Sequence, residues 1–297
     1  MEPVLLHQDT AENYQVQHGH EGDNMIIKIY NCFHDCGSIP NEKYHSDIRP
    51  SLLCGADVEW RNNQDIICNF RDNIGENISK ENEEYSELTG YYWIWKNDHD
   101  SDIIGIEHYR RHFVTQYDPM ILLDDKDIIE LLKTNDFIIP LHENLFDINV
   151  YDLHKICFDD LADDSIQFMK RYFTSINQEK YVDTIYDVLS DNYLIHGNML
   201  ITTKDNFNDY CKVIFGMIDY MKVNNMKLNK YGRTWGYITE MFPLIYFKAN
   251  NKSFTEVPII ISELDESGEE TIVIPEVHEE AILTKDRDEQ ISYFKSL

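Results

Sequence analysis

The chemically richest stretch of this chain is Asp102-Ile-Ile-Gly-Ile-Glu-His-Tyr-Arg-Arg-His-Phe-Val114. After a short apolar run, Glu107, His108, Tyr109, Arg110, Arg111 and His112 follow one another without a break. An imidazole can accept or donate a proton near neutral pH. A pair of guanidiniums offers rigid fork donors that match phosphate oxygens. Together these groups suit a reaction in which an anionic leaving group departs and a proton moves. The plainer reading is a solvated arginine loop beside abundant acid, with His108 fixed by hydrogen bonds beneath a sheet edge.

Other candidate chemistry is thinner. Asn31-Cys-Phe-His-Asp-Cys-Gly37 is a polar loop after an apolar run, the place where many α/β folds hold a nucleotide, and His34 sits in it. It matches neither a dinucleotide-binding glycine pattern nor a P-loop. A serine-hydrolase elbow is missing. Asp-x-Asp triplets, which could hold manganese or magnesium in a sugar transferase, occur at Asp98, Asp100, Asp125 and Asp286. In a chain with 54 acids such triplets arise by chance, and none ends a clear strand, so a divalent metal has no placed motif. Zinc-ligand spacing is absent as well.

The bulk numbers bound the partners. The 297 residues carry 54 acids against 26 bases, a formal charge of -28. That field repels nucleic acid and anionic surfaces, so a phosphate ligand needs a local basic pocket, and Arg110-Arg111 is the clearest pair for one. No window reaches the ~20 apolar residues that span a bilayer. The acidic, polar start has no secretory pattern. The six cysteines form no CxxC and read as free cytosolic thiols, so the expected location is cytoplasmic, peripheral to the membrane if associated at all.

Positioning these groups requires a scaffold, and the pattern supplies one. Apolar β-branched runs at Met25–Phe33, Ile103–Ile106, Asp136–Pro140, Gly197–Thr202 and Glu256–Ile261 predict buried strands. Between them, helical spacing appears around Tyr85–Trp95, Asp124–Lys133, Val150–Tyr193, Phe207–Met221 and Arg233–Phe247. Asn77 or Ser79 is placed to cap the first of these helices. Trp93 and Trp95 read as core more than as a sugar platform. Strands alternating with helices predict an α/β fold whose central sheet is mostly parallel, with a helical insert after the third main strand. Residues 1–24 read as a mobile polar lead, 25–262 as the α/β domain, and 263–297 as an acidic extension.

Several stretches jointly resemble one bacterial family. They are Gly75-Glu-Asn-Ile-Ser79, Asn82, Glu87-Leu-Thr89, Tyr92-Trp-Ile-Trp-Lys-Asn97 and the His108-Tyr-Arg-Arg111 stretch, with His196-Gly-Asn-Met199, Phe207-x-x-Tyr-Cys211, Arg233-x-x-Gly-Tyr-Ile-x-Glu240 and Val257-Pro258. The family is domain-of-unknown-function family 4422, found in capsular, exopolysaccharide and O-antigen loci. The resemblance covers roughly residues 26 to 262. It implies a GT-A-like glycosyltransferase with a nucleotide-sugar donor, UDP-linked before others. The expected reaction is inverting transfer of a hexose, of galactofuranose type, to a glycan or lipid-linked glycan acceptor in surface polysaccharide assembly. Arg110 and Arg111 would stabilise the departing diphosphate. Tyr109, His34, Asn77 and Asn198 fall on the donor side, and Asp72 and Arg233 on the acceptor side. Candidates for the proton acceptor are His108, Glu76 and Glu240, with Asp72 beside them. The family's usual Gly-Asp-Asn is here Gly75-Glu76-Asn77, one methylene longer. The alternative reading is a non-catalytic carbohydrate- or nucleotide-binding module that has kept the fold.

Overall fold

The computed structural model describes residues 25–273 apart from 39, 60–64, 146, 159, 196 and 265–269. The expected N-terminal lead, residues 265–269 and 274–297 of the acidic extension, and His196 therefore lie outside the described residues.

The strands are β1 (Ile27–Phe33), β2 (Ser51–Leu53), β3 (Phe70–Arg71), β4 (Ile103–His108), β5 (Arg111–Phe113), β6 (Phe137–Pro140), β7 (Glu143–Asn144), β8 (Tyr193–Leu194), β9 (Leu200–Thr203), β10 (Phe254–Val257), β11 (Ile259–Leu264) and β12 (Glu270–Val273). The helices are α1 (Asn82–Tyr85), α2 (Leu88–Asn97), α3 (Asp125–Leu132), α4 (Val150–Phe158), α5 (Asp160–Ser175), α6 (Glu179–Leu189), α7 (Lys204–Val223), α8 (Thr234–Glu240) and α9 (Phe242–Asn250). The main sheet runs β10-β6-β9-β4-β1-β2-β3. Along that path β9 alone is reversed, pairing antiparallel with both β4 and β6, while the other neighbours pair in parallel. The α/β architecture with a mostly parallel sheet is thus as expected, and α4–α6 form the helical insert between β6 and β9.

Both faces of the central strands are covered, which is why they read as unbroken apolar runs. Tyr30, Ile104 and Ile106 enter the larger core with α2 and α7–α9. Ile29, Ile103 and Ile201 enter a second core, which Ile128 of α3 joins. Gly90 lets α2 approach the sheet closely. A Cβ there would stand 2.7 Å from Cys54 Sγ and 3.3 Å from Cys32 Sγ. Gly90→Ala gains about 1 kcal/mol of helix propensity, but overpacking of this kind costs about 1–3 kcal/mol. The expected net result is a lower urea midpoint; an unchanged or higher midpoint would show that the contact yields.

Three elements differ from the sequence reading. The Tyr85–Trp95 helix is broken at Ser86, whose φ is 51°. Asn82 Nδ2 donates to the Ser86 carbonyl at 2.6 Å and to Thr89 Oγ1 at 2.9 Å, taking the carbonyl out of the helical ladder. The last strand divides at Pro258, which has no N–H for a ladder. β10 pairs with β6, while β11 crosses to β5 and continues past residue 262 to pair with β12. The Arg233–Phe247 helix divides at Met241, with Pro243 opening the second piece. Among the described residues no helix is long and apolar enough to cross a membrane.

Candidate active site

β1 and β4 lie side by side in parallel, with Cys32 opposite His108, so their carboxyl ends share one edge of the sheet. In open α/β sheets the ligand crevice lies beyond that edge. Because β9 is reversed, its leading residues Gly197 and Asn198 arrive at the same edge. The Ser86 break and the start of α8 lie across it. The result is a cleft of roughly 310 Å³, whose lining includes His34, Glu87, His108, Arg110, Arg111 and Arg233.

The arginine stretch is a tight hairpin, with His108 of β4 opposite Arg111 of β5. A buried cluster holds it. Glu107, fully buried, accepts from the Phe113 amide at 3.0 Å and lies 3.1 Å from His112 Nδ1 and 3.5 Å from Arg49 Nε. Arg49 also donates to the Leu123 carbonyl at 2.7 Å, and Tyr44 stacks on His112 at 4.1 Å. Burial would raise the Glu107 carboxyl, but Arg49, His112 and the Phe113 amide hold it below its ordinary range. Glu107 thus works as a structural anion, and strand alternation sends His108 to the other face.

His108 is held neutral. Burial pushes its imidazole down to about 4, Arg111 and Arg233 push the same way, and Glu87 opposes them. The nearby Gly197 backbone favours the ring's proton, and among the described residues Nε2 is buried without a partner. Arg110 lies over the Tyr109 ring at 5.7 Å, and the same ring meets His34 edge-on at 5.7 Å. Arg233 adopts a left-handed φ of 59° at the head of α8; its amide donates to the Glu83 carbonyl at 2.7 Å and its Nε to Ser86 Oγ at 3.1 Å. Glu240 ends α8. Burial first, then the charge of Glu87, raise its carboxyl to about 7 against the pull of Arg233 and Arg111.

Glu87 accepts from Asn198 Nδ2 at 2.5 Å. Asn198 is buried, with a left-handed φ of 48°; its Nδ2 also reaches the Gly236 carbonyl at 3.2 Å, and its own carbonyl accepts from the Tyr91 hydroxyl. Sequence reasoning passed over Glu87 as a site residue because it ran one helix through it. Asn82 spaced four residues before Ser86 was the available signal for a break.

The structure therefore brings together His34, His108, Tyr109, Arg110, Arg111 and Arg233 around the cleft, with Asn198 and Glu240 in contact with its charges. It does not bring in the 72–79 loop. Glu76 is exposed, 3.0 Å from the Tyr92 hydroxyl and 3.4 Å from Lys96 on the outer side of α2. Asn77 Oδ1 accepts from the Ser79 amide at 3.1 Å within its own turn, and neither Asn77 nor Ser79 caps the helix, whose pieces begin after Glu81 and Glu87 without a side-chain cap. Asp72 is fully buried and shapes the turn after β2, accepting from the amides of Gly55 at 2.6 Å and Ala56 at 2.9 Å and from the Ser79 hydroxyl. The described Asp-x-Asp triplets also serve structure: Asp98 binds the hydroxyls of Tyr30 and Ser101, Asp102 the Ile26 amide, and Asp127 completes the cap of α3. Among the described residues no three His, Cys, Asp or Glu side chains converge as a metal-binding group.

The family model for the domain of unknown function DUF4422 matches residues 28–252. Among solved structures the chain is similar to the WbbM bifunctional glycosyltransferase in its apo form, at 23% identity and a TM-score of 0.65. The match covers 79% of this chain and 45% of that one, so this chain spans less than half of the WbbM length. The likeness establishes a glycosyltransferase-like α/β fold. Comparison with curated proteins gave no match.

Proposed function

Since the chain belongs to the DUF4422 family, we propose that it is a glycosyltransferase that moves a hexose from a nucleotide-diphosphate sugar to a glycan hydroxyl. The observation that carries this reading is the cleft itself. Arg110, Arg111 and Arg233 face it beside a neutral imidazole and Glu87, with the Glu240 carboxyl close enough to feel Glu87, Arg233 and Arg111, at the carboxyl edge of a parallel sheet. Fixed guanidiniums stabilise the charge that grows on a departing diphosphate. A carboxyl titrating near neutrality suits the removal of a hydroxyl proton.

In this mechanism Arg110 and Arg111 hold the diphosphate, and Tyr109 with His34 flank the nucleoside. The acceptor oxygen attacks the anomeric carbon from the face opposite the diphosphate. The new carbon–oxygen bond forms as the bond to the leaving oxygen breaks, the diphosphate takes the electron pair, and Glu240 takes the acceptor proton. Configuration is inverted. Arg233 lies on the acceptor side. Glu76 and Asp72 have no part, given where they sit. UDP as the nucleotide, galactofuranose as the sugar, a lipid-linked acceptor and work at the cytoplasmic face in surface polysaccharide assembly are the particulars the family resemblance suggests. The transferase unit is taken to run from residue 25 through β12, because β11 and β12 extend the sheet that carries Arg111.

The test is thermal unfolding of the full chain against UDP-, GDP-, CMP- and dTDP-sugars, with and without manganese. A ligand at 100 times its Kd stabilises the folded state by about 2.7 kcal/mol. One nucleotide is expected to raise the midpoint, and turnover of that donor to be lost in Glu240→Gln. Binding without turnover under any acceptor would favour the binding-module reading; no binding by any nucleotide would refute the transferase reading and leave a carbohydrate-binding module.

A further inference from the structure

We propose that Glu87, Asn198 and His108 form a subsite that reads two hydroxyl groups of the donor sugar, with Glu87 as its positioning residue. This deepens the transferase reading and rests on it.

The argument starts from hydrogen-bond accounting. Asn198 Nδ2 has two protons, and both are committed, one to Glu87 Oε1 at 2.5 Å and one to the Gly236 carbonyl at 3.2 Å. Both partners can only accept, so chemistry fixes which end of the amide is which. The other end, Oδ1, is left as an acceptor, and it is buried with no partner among the described residues. His108 arrives at the same state by another route. Its Nε2 is likewise buried with no partner among the described residues, and the subsite takes the ring proton to sit on Nδ1, which leaves Nε2 as an acceptor. The two orphans are thus set by neighbouring residues of one segment: a Cβ built on Gly197 would stand 3.8 Å from His108 Cε1.

A buried acceptor left unmade carries a desolvation penalty; one of these two belongs to His108, which lines the cleft, and the other to Asn198, bonded to the cleft-lining Glu87. What would relieve them must donate hydrogen bonds. The guanidiniums that face the cleft match the diphosphate, and a sugar attached to that diphosphate brings ring hydroxyls, each with one O–H to give. The site therefore selects a sugar with free hydroxyls at the two positions it reads. It discriminates against deoxy sugars at those positions, because their loss leaves the acceptors unpaired again. Glu87 makes the selection possible. Without its oxygen the Asn198 amide keeps only the 3.2 Å bond to Gly236 and can turn to offer a donor where the site needs an acceptor.

The experiment uses the full chain, UDP-galactose in pyranose and furanose forms, UDP, and the 2-, 3-, 4- and 6-monodeoxy donors, with Kd read by calorimetry. If the panel above selects another nucleotide, the same series is built on that one. Loss of either of two hydroxyls is expected to weaken binding about 10- to 100-fold, with little change at the others. Glu87→Ala is expected to weaken the sugar nucleotide but not the bare nucleotide. Glu87→Gln, which keeps an accepting oxygen for Asn198, is expected to restore the difference. Nitrogen-15 shifts of the unliganded wild type should show His108 as the Nδ1–H tautomer at pH 7. Bare nucleotide bound as tightly as its sugar form, deoxy donors bound equally, or the Nε2–H tautomer would overturn the subsite alone, leaving the orphans to ordered water. No nucleotide bound at all would overturn the transferase reading first.

Discussion

Arg111→Ala is expected to lower kcat/KM by about 1000-fold while the fold survives. Removing one preorganised donor from a developing anion costs about 3–4 kcal/mol in enzymes where it has been isolated. Arg111 is well placed to be such a donor. It opens β5 in register with His108, in a hairpin that the buried Glu107, His112 and Arg49 hold in one shape. Burial and its neighbour Arg110 lower its proton affinity, and Glu240, Tyr109 and Glu87 work the other way. A guanidinium remains charged through any such shift. Arg111→Lys is expected to recover only a small part, since an ammonium lacks the fork that binds two phosphate oxygens together. Steady-state kinetics with circular dichroism decides it. A loss under ten-fold in the alanine variant would remove Arg111 from the leaving-group role.

The second large effect is at Glu240. Glu240→Gln is expected to lower kcat by about 100- to 10000-fold, the usual range for losing a general base. The wild-type rate carries the signature: kcat/KM should climb as pH passes about 7, where the Glu240 carboxyl gives up its proton. The same residue leaves a trace in stability. Its folded-state proton affinity is raised, so the protein is stabilised relative to its unfolded chain only at low pH, and that advantage is lost as pH rises from the ordinary carboxylate range through about 7. Glu240→Gln should therefore unfold at a higher temperature than wild type at pH 8 and at the same temperature at pH 4. His108 has the opposite sign. Its depressed value of about 4 means that stability falls as pH drops below the ordinary imidazole range, and the neutral ring persists across the working window. A flat rate profile between pH 6 and 8 would show that Glu240 is not the base.

Much of the scaffold was readable in advance, and the reason is local. Ile103, Ile104 and Ile106 announce a strand buried on both faces, and their burial is complete or nearly so. Arg110 and Arg111 announce a basic pocket because little else in so acidic a chain could form one. Less readable was whatever depends on contacts distant in sequence. The break at Ser86 rests on Asn82 and on α8 arriving more than 140 residues later. Without that break Glu87 looks like one more acid on a solvated helix. Glu76, a plausible base by type and motif, lies on the outer side of α2, a fact that no spacing rule contains. The reversal of β9 was equally hidden, since an apolar strand reads the same in either direction.

That reversal ties the working cleft to the order in which the chain can acquire structure. β4 finds one neighbour in β1, some 76 residues earlier, and its other in β9, with Ile103 opposite Thr203. Closing loops of this size costs entropy before any contact repays it, which slows assembly. The groups around the cleft come from segments running from His34 to Glu240, and no contiguous third of the chain contains both the arginines and the α8 carboxyl. Helices can appear early while the cleft does not yet exist. On the transferase reading, competence is therefore a late event in the life of each molecule, and a chain cut short before α8 is expected to be inert.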